Sequence, residues 1–291
     1  MDFGHVWTAM VTPYDSKGNI DFDRTRKLID YLLAKGTDAL VIAGTTGESP
    51  TLTEEEKVAL FQCAVTHVNK RAAVIAGTGS NDTAGSIRLT KKAEQVGVDG
   101  IMLVTPYYNK PSQQGLYDHF KAIANETRLP VMLYNVPGRT SVNMSAETTI
   151  QLAKIDNITA VKEASGDLEQ MAVIIEATSS DFFVYSGDDS LTLPALSIGA
   201  NGVVSVVSHV AGERMQQMIQ AFLKGNVEDA ANIHRSLLPL MKAMFYAPNP
   251  TCVKYAMQVV GLDVGGVRMP LVPLTKEEQR NVLVTMNESN L

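Results

Sequence analysis

The chain has 291 residues, enough for two ordinary domains, although α/β barrels of this length form a single one. Apolar residues at 45% suffice for one large core, and charged residues at 19% are too few for a disordered chain. A net charge of −6 without any basic run excludes nucleic acid, and no apolar run is long enough to span a bilayer.

Residues 1–5 lack the basic and apolar regions of a signal peptide, so a soluble cytoplasmic protein is expected. Short apolar runs then alternate with helical patterns as far as residue 215. The runs at 6–11, 39–43, 73–76, 100–104, 131–135, 159–163, 183–186 and 202–206 predict eight strands, apolar on both faces as a parallel sheet requires. The helices between them have readable ends. Asp21 caps a helix carrying Leu28, Ile29, Leu32 and Leu33, and Gly36 stops it. Thr53 with Glu56 has capping-box spacing, and Asp167 with Gln170 repeats it. Eightfold strand–helix alternation predicts a (β/α)8 TIM barrel.

From Arg214 onward the pattern is helical, with stretches at 218–223 and 229–244 and no strand between them. The break Pro248-Asn249-Pro250 follows, and 271–291 reads as a capped terminal helix. The expectation is a catalytic barrel over 1–224 and a helical extension over 225–291 packed on it. Cys63 and Cys252 match no zinc or redox spacing and are expected to be reduced, buried thiols. Met215, Met218, Met241 and Met244 have the helical spacing of core residues.

Barrel enzymes carry their chemistry at the C-terminal strand ends, and the unusual residues collect there. Strand two leads into Gly44-Thr45-Thr46-Gly47-Glu48-Ser49, strand three into Gly77-Thr78-Gly79, and strand four into Thr105-Pro106-Tyr107-Tyr108-Asn109. Strand five leads into Tyr134-Asn135-Val136-Pro137-Gly138-Arg139-Thr140, and strand seven into Ser186-Gly187-Asp188-Asp189. Lys162 lies inside the apolar strand six. An unpaired ammonium is costly to bury, and a neutral amine is a nucleophile suited to a Schiff base with a carbonyl. The alternative is a structural lysine paired with Glu163 or another carboxylate.

The other candidates divide similarly. The amides of Gly44 and Gly47 and the hydroxyls of Thr45 and Thr46 suit a carboxylate, or form an ordinary turn. Tyr134 is a proton shuttle or a core tyrosine. Arg139 is a carboxylate clamp or a surface arginine. Asp188 and Asp189 read as a helix N-cap and a first-turn acid. The five scattered histidines give no metal set, with only His209 near a strand end. Gly77-Thr78-Gly79 is too short for a dinucleotide fingerprint. A lysine-centred aldolase remains.

These segments, with Ala76-Gly77-Thr78-Gly79, Val104 through Pro111 and Lys162-Glu163-Ala164, resemble the 4-hydroxy-tetrahydrodipicolinate synthase family over essentially the whole chain. That family belongs to the class I pyruvate-dependent lyases, which include N-acetylneuraminate lyase. The resemblance implies a Schiff base between Lys162 and pyruvate, with protons relayed by Tyr134, Thr45 and a Tyr108 reaching in from a neighbouring subunit. It implies that Thr46 holds the pyruvate carboxylate and Arg139 that of L-aspartate 4-semialdehyde, with backbone atoms of Gly187 and Val204 lining the pocket. It further implies no cofactor or metal, a homo-oligomer (dimer or tetramer), and a place in diaminopimelate and lysine biosynthesis.

One region departs from the lysine-inhibited members. Ser49, Asn81 and Tyr107 match their effector site, whereas Glu54, Lys57 and Gly85 replace its histidines and glutamate. Two rival readings are an aldolase acting on a sugar-derived aldehyde, for which Arg139 is wasted, and a non-catalytic pyruvate-binding regulator. The joint presence of Lys162, Tyr134, Thr45 and Tyr108 argues against the second.

Overall fold

The computed structural model describes residues 3–289. Eight parallel strands close a barrel in sequence order: β1 (Val6–Ala9), β2 (Ala39–Ile42), β3 (Ala73–Gly77), β4 (Gly100–Val104), β5 (Val131–Asn135), β6 (Ile158–Glu163), β7 (Phe183–Ser186) and β8 (Gly202–Ser205), which pairs back with β1. Every expected strand forms, with ends shifted by at most two residues. The helices that cover it are α1 (Phe22–Ala34), α2 (Glu54–Val68), α3 (Thr83–Val96), α4 (Gln113–Ala124), the single turn α5 (Pro137–Thr140), α6 (Ala146–Leu152), α7 (Leu168–Ala177), α8 (Thr192–Ser197) and α9 (Ser208–Leu223). Three more follow: α10 (Val227–Ala243), α11 (Thr251–Val259) and α12 (Lys276–Glu288).

Side chains on a strand alternate between faces, and two apolar cores result. Trp7, Val41, Ile75, Met132, Ala160 and Tyr185 fill the barrel, with the Trp7 and Tyr185 rings 4.5 Å apart. Val6, Leu40, Val74, Leu133, Val161 and Val184 point outward, beneath the helices. On β6 the same alternation sends Lys162 inward, level with Tyr134 on β5 and Tyr185 on β7, and Glu163 outward. Glu163 is buried against Asn135 Nδ2 at 3.1 Å, Gln170 Nε2 at 3.1 Å and the Ser165 amide at 2.7 Å. A Lys162–Glu163 pair is therefore ruled out.

Helix starts follow the expected caps. Asp21 accepts from the Arg24 amide, and Thr53 and Glu56 close a full capping box. Asp167 caps α7, but the Gln170 side chain turns to Glu163, so only half of that box forms. Asp188 caps a short 3-10 turn as expected. Asp189 does more than a first-turn acid: fully buried, its Oδ2 accepts from the Val206 and Val207 amides at 3.0 and 2.9 Å and so fixes the chain after β8.

His209 is a core residue. Its Nε2 accepts from the Val11 amide and its Nδ1 donates to the Val206 carbonyl, which requires the neutral ring. Burial pushes its pKa down to about 4, in keeping with that state. Met215, Met218, Met241 and Met244 are buried. Cys252 is buried, but Cys63 is half-exposed, and both are free thiols.

The expected terminal helix is shorter than the sequence pattern. It starts at Lys276 behind a Thr275–Glu278 capping box; Pro270 sits in a turn closed by the Leu271 amide on the Arg268 carbonyl, and Pro273 follows in irregular chain, neither of which continues a helix. Asn290 and Leu291, which the expectation included, lie outside the described residues. No helix among the described residues is long and apolar enough to cross a membrane.

The chain after α10 is bolted to the loop after β2. Lys254 on α11 forms an ion pair with Glu48 at 2.7 Å, with both side chains almost wholly buried, and Lys254 also donates to the Gly266 carbonyl at 2.6 Å. Arg268 clasps Glu56 with two nitrogens and donates its backbone amide to Glu48 Oε2. Removing one member of a buried pair leaves the other charge stranded. Lys254→Met should therefore lower unfolding free energy by about 3–5 kcal/mol, and adding Glu48→Gln should recover part of the loss. Urea unfolding of the parent and both variants measures this; no loss in Lys254→Met would show that the pair carries no stability.

Candidate active site

Two adjoining cavities open at the C-terminal end of the barrel, of about 450 and 240 Å³. Thr45, Tyr134, Val136 and Arg139 line both, so the cavities share a wall. Lys162 stands in the larger one, only 5% exposed, with Nζ 4.1 Å from the centre of the Tyr134 ring. No carboxylate among the described residues pairs with it. The tyrosine ring face offers neither a carboxylate nor a hydrogen-bond acceptor oxygen at this contact, so the nitrogen stays open to a substrate.

Strand register brings these groups together. Tyr134 and Lys162 are direct neighbours across β5 and β6. Outside the barrel, Asn135 and Glu163 are bonded as well, locking that register from behind. Burial pushes the Glu163 pKa up, against the lowering effect of its hydrogen bonds to Ser165, Asn135 and Gln170. At Gly187 a side chain would collide: a Cβ would stand 2.6 Å from Ala164 Cβ and 3.1 Å from Lys162 Cε. Glycine is what lets the lysine stem extend. Gly77 has a similar packing role, since a Cβ there would lie 2.6 Å from the Ala43 carbonyl oxygen.

Most of the expected site residues converge. Thr46 is buried in the wall of the larger cavity, and Gly187 lies in the same wall. Arg139, on the α5 turn, overhangs both cavities with no ion pair among the described residues. Two residues stand apart. Val204 is buried beside Trp7 within the barrel and lines neither cavity; Val206, two residues on, lines the larger one. Tyr108 is 90% exposed with φ of 72°, and its side chain lies in neither cavity.

The sequence pattern missed an entire wall. Met241, Lys242, Phe245, Tyr246 and Asn249 close the larger cavity from the chain around the end of α10. Asn249 Nδ2 donates to Thr46 Oγ1 at 2.9 Å. The only local signal is an asparagine held between two prolines in 248–250, which marks a rigid loop but not its destination.

This geometry can hold a carbonyl compound at Lys162 and, beside Arg139, a second group carrying a carboxylate. Comparison with known proteins points the same way. The synthase called 4-hydroxy-tetrahydrodipicolinate synthase 2 of Halalkalibacterium halodurans is 65% identical over 282 residues, 97% of each chain. The crystal structure of a dihydrodipicolinate synthase from Bacillus anthracis is 59% identical, with a TM-score of 0.98 over 99% of this chain and 98% of that one. A dihydrodipicolinate synthase from Cyanidioschyzon merolae, solved with lysine bound, is 49% identical, with a TM-score of 0.98 over 99% of both chains. With residues 2–289 also matching the family as a whole, the chain belongs to the dihydrodipicolinate synthetase family.

Proposed function

We propose that the protein condenses pyruvate with L-aspartate 4-semialdehyde to 4-hydroxy-tetrahydrodipicolinate, a step in the biosynthesis of diaminopimelate and lysine. The observation that carries this reading is Lys162, buried at a strand end, unpaired with any carboxylate among the described residues and set against Tyr134. Its nitrogen attacks the pyruvate ketone carbon. The carbinolamine takes up a proton and loses water, and a protonated imine remains. That imine withdraws electrons from the methyl group, which gives up a proton to form an enamine. The enamine carbon adds to the aldehyde. The amino group of the second substrate then displaces Lys162, and the ring closes.

Tyr134 is placed to pass these protons, with Thr45 facing the same two cavities. Tyr108 serves the relay in another copy of the chain, a role supported by its exposure and by its absence from its own cavities. A homodimer is then the smallest working unit. Thr46 takes the pyruvate carboxylate and Arg139 that of the aldehyde. Gly187 admits the lysine stem, and Val206 fills the position first expected of Val204. Residues 1–224 act as the catalytic barrel and 225–291 as an extension completing its wall, in a cytoplasmic enzyme.

Borohydride in the presence of pyruvate should add a stable mass adduct at Lys162, and Lys162→Ala should abolish both the adduct and turnover. Turnover surviving in that variant would sink the Schiff-base assignment. Gly187→Ala pushes on the lysine stem and should lower kcat about a hundredfold, with the fold intact by circular dichroism.

Feedback by lysine should be weak. The exposed-side pair Glu54–Lys92, at 2.6 Å, commits the acid that replaces a ligand of the effector site. Lys57 adds positive charge there; burial pushes its pKa down from the ordinary lysine value, partly opposed by Glu54. Initial rates at rising lysine should stay flat through the low-millimolar range, and strong inhibition there would overturn the expectation.

A further inference from the structure

Asn249 lies in the chain between α10 and α11, 203 residues from Thr46 in sequence, yet it touches that side chain. It is buried, and it faces the cavity that holds Lys162. Its Nδ2 donates to Thr46 Oγ1 at 2.9 Å. A threonine hydroxyl that accepts one bond still owns a proton to donate. With one side of the oxygen occupied by Asn249, that proton is turned toward other partners, and Thr46 shares the cavity with Lys162.

Asn249 has no other evident reason to be where it is. Its Oδ1 is buried without a partner among the described residues. A buried amide satisfied on one side costs more than its single bond returns, so the fold alone does not explain it. The surroundings hold the contact rigid from both ends. Glu48, two residues past Thr46, is paired with Lys254, five residues past Asn249, and Thr12 Oγ1 grips the Gly47 carbonyl at 2.7 Å.

We propose that Asn249 is a positioning residue for the pyruvate subsite, directing the Thr46 hydroxyl proton at the substrate carboxylate. This rests on the reading that pyruvate binds at Lys162. The helical extension would then shape the chemistry of the barrel as well as cover it.

The test is a double-mutant cycle on the pyruvate concentration that half-saturates borohydride trapping, using the parent, Asn249→Ala, Thr46→Val and the double variant. Asn249→Ala should weaken pyruvate about tenfold, the worth of one bond directed at a charged group. In the Thr46→Val background the same change should add no more than about twofold, because its route is gone. Asn249→Asp should be worse than Asn249→Ala, since a carboxylate can only accept from Thr46 and so withdraws its proton from the substrate. KM for the aldehyde should stay within about twofold throughout. Equal losses in both backgrounds, or an equal rise in KM for the aldehyde, would overturn the positioning role. Should Asn249→Ala not fold, Asn249→Ser retains a small donor and carries the same cycle. A parent protein that traps pyruvate while the cycle fails defeats this inference alone; one that traps none defeats the proposed function as well.

Discussion

The alternation of side chains along β6 is the constraint on which the site depends. Ala160 and Lys162 face the barrel interior, whereas Val161 and Glu163 face the helices. Two adjacent residues of opposite charge, which in a loop could close on each other, are thereby held on opposite faces of the sheet. Each must then find its own solution to burial. Glu163 is surrounded by donors from β5, α7 and its own loop. Lys162 receives an aromatic face instead of a counter-ion. A one-residue slip of this strand would exchange the two faces, placing the carboxylate in the cavity and the amine under the helices. The Asn135–Glu163 contact opposes that slip, so the outward residue guards the placement of the inward one.

A second buried lysine shows what a structural one looks like. Lys254 is as deeply buried as Lys162, but it contacts a carboxylate at 2.7 Å and a carbonyl at 2.6 Å. Burial pulls its pKa down to about 8, with Glu48 opposing the shift. Its Nζ also sits 4.2 Å from the centre of the Tyr14 ring, so an aromatic neighbour alone does not distinguish the two. The carboxylate does. A lysine whose charge is matched within the fold serves the fold, and one left unmatched beside an open cavity is available to a substrate.

Much of this was legible from local pattern. The strands are short, apolar on both faces and bounded by polar loops, so continuous apolar runs located all eight. Helix caps were equally local. Thr45, Thr46, Tyr134, Arg139 and Gly187 could be placed at one mouth because barrel topology sends every strand end there. What escaped were contacts between segments distant in sequence. Asn249 reaching Thr46 and Lys254 reaching Glu48 depend on how α10 and α11 pack, which no window of neighbouring residues encodes. His209 looked like an isolated polar residue near a strand end, and only its two backbone partners reveal a core histidine. Val204 lies within β8 and Val206 just past its end, where the chain leaves the strand, so the strand's periodicity does not reach the residue that lines the cavity.

The barrel by itself supplies an unfinished site, and the two places where it is unfinished differ in kind. On one side the missing wall comes from the same chain, through 241–249, and is held by a buried ion pair that does not open cheaply. On the other side Tyr108 points into solvent from a left-handed backbone conformation. A large aromatic left almost wholly exposed at φ of 72° costs both apolar hydration and backbone strain, and such strain persists where surrounding structure gains from it. Hydrogen bonds of Asn81 and Asn109 around the Tyr107 carbonyl hold the turn, but they leave the ring itself exposed. A second copy of the chain would offset that cost by burying the ring, and the copy would receive in return a hydroxyl that its own strand four loop cannot deliver. The first completion makes the cavity rigid whenever the chain is folded. Under the proposed function, the second makes activity conditional on association.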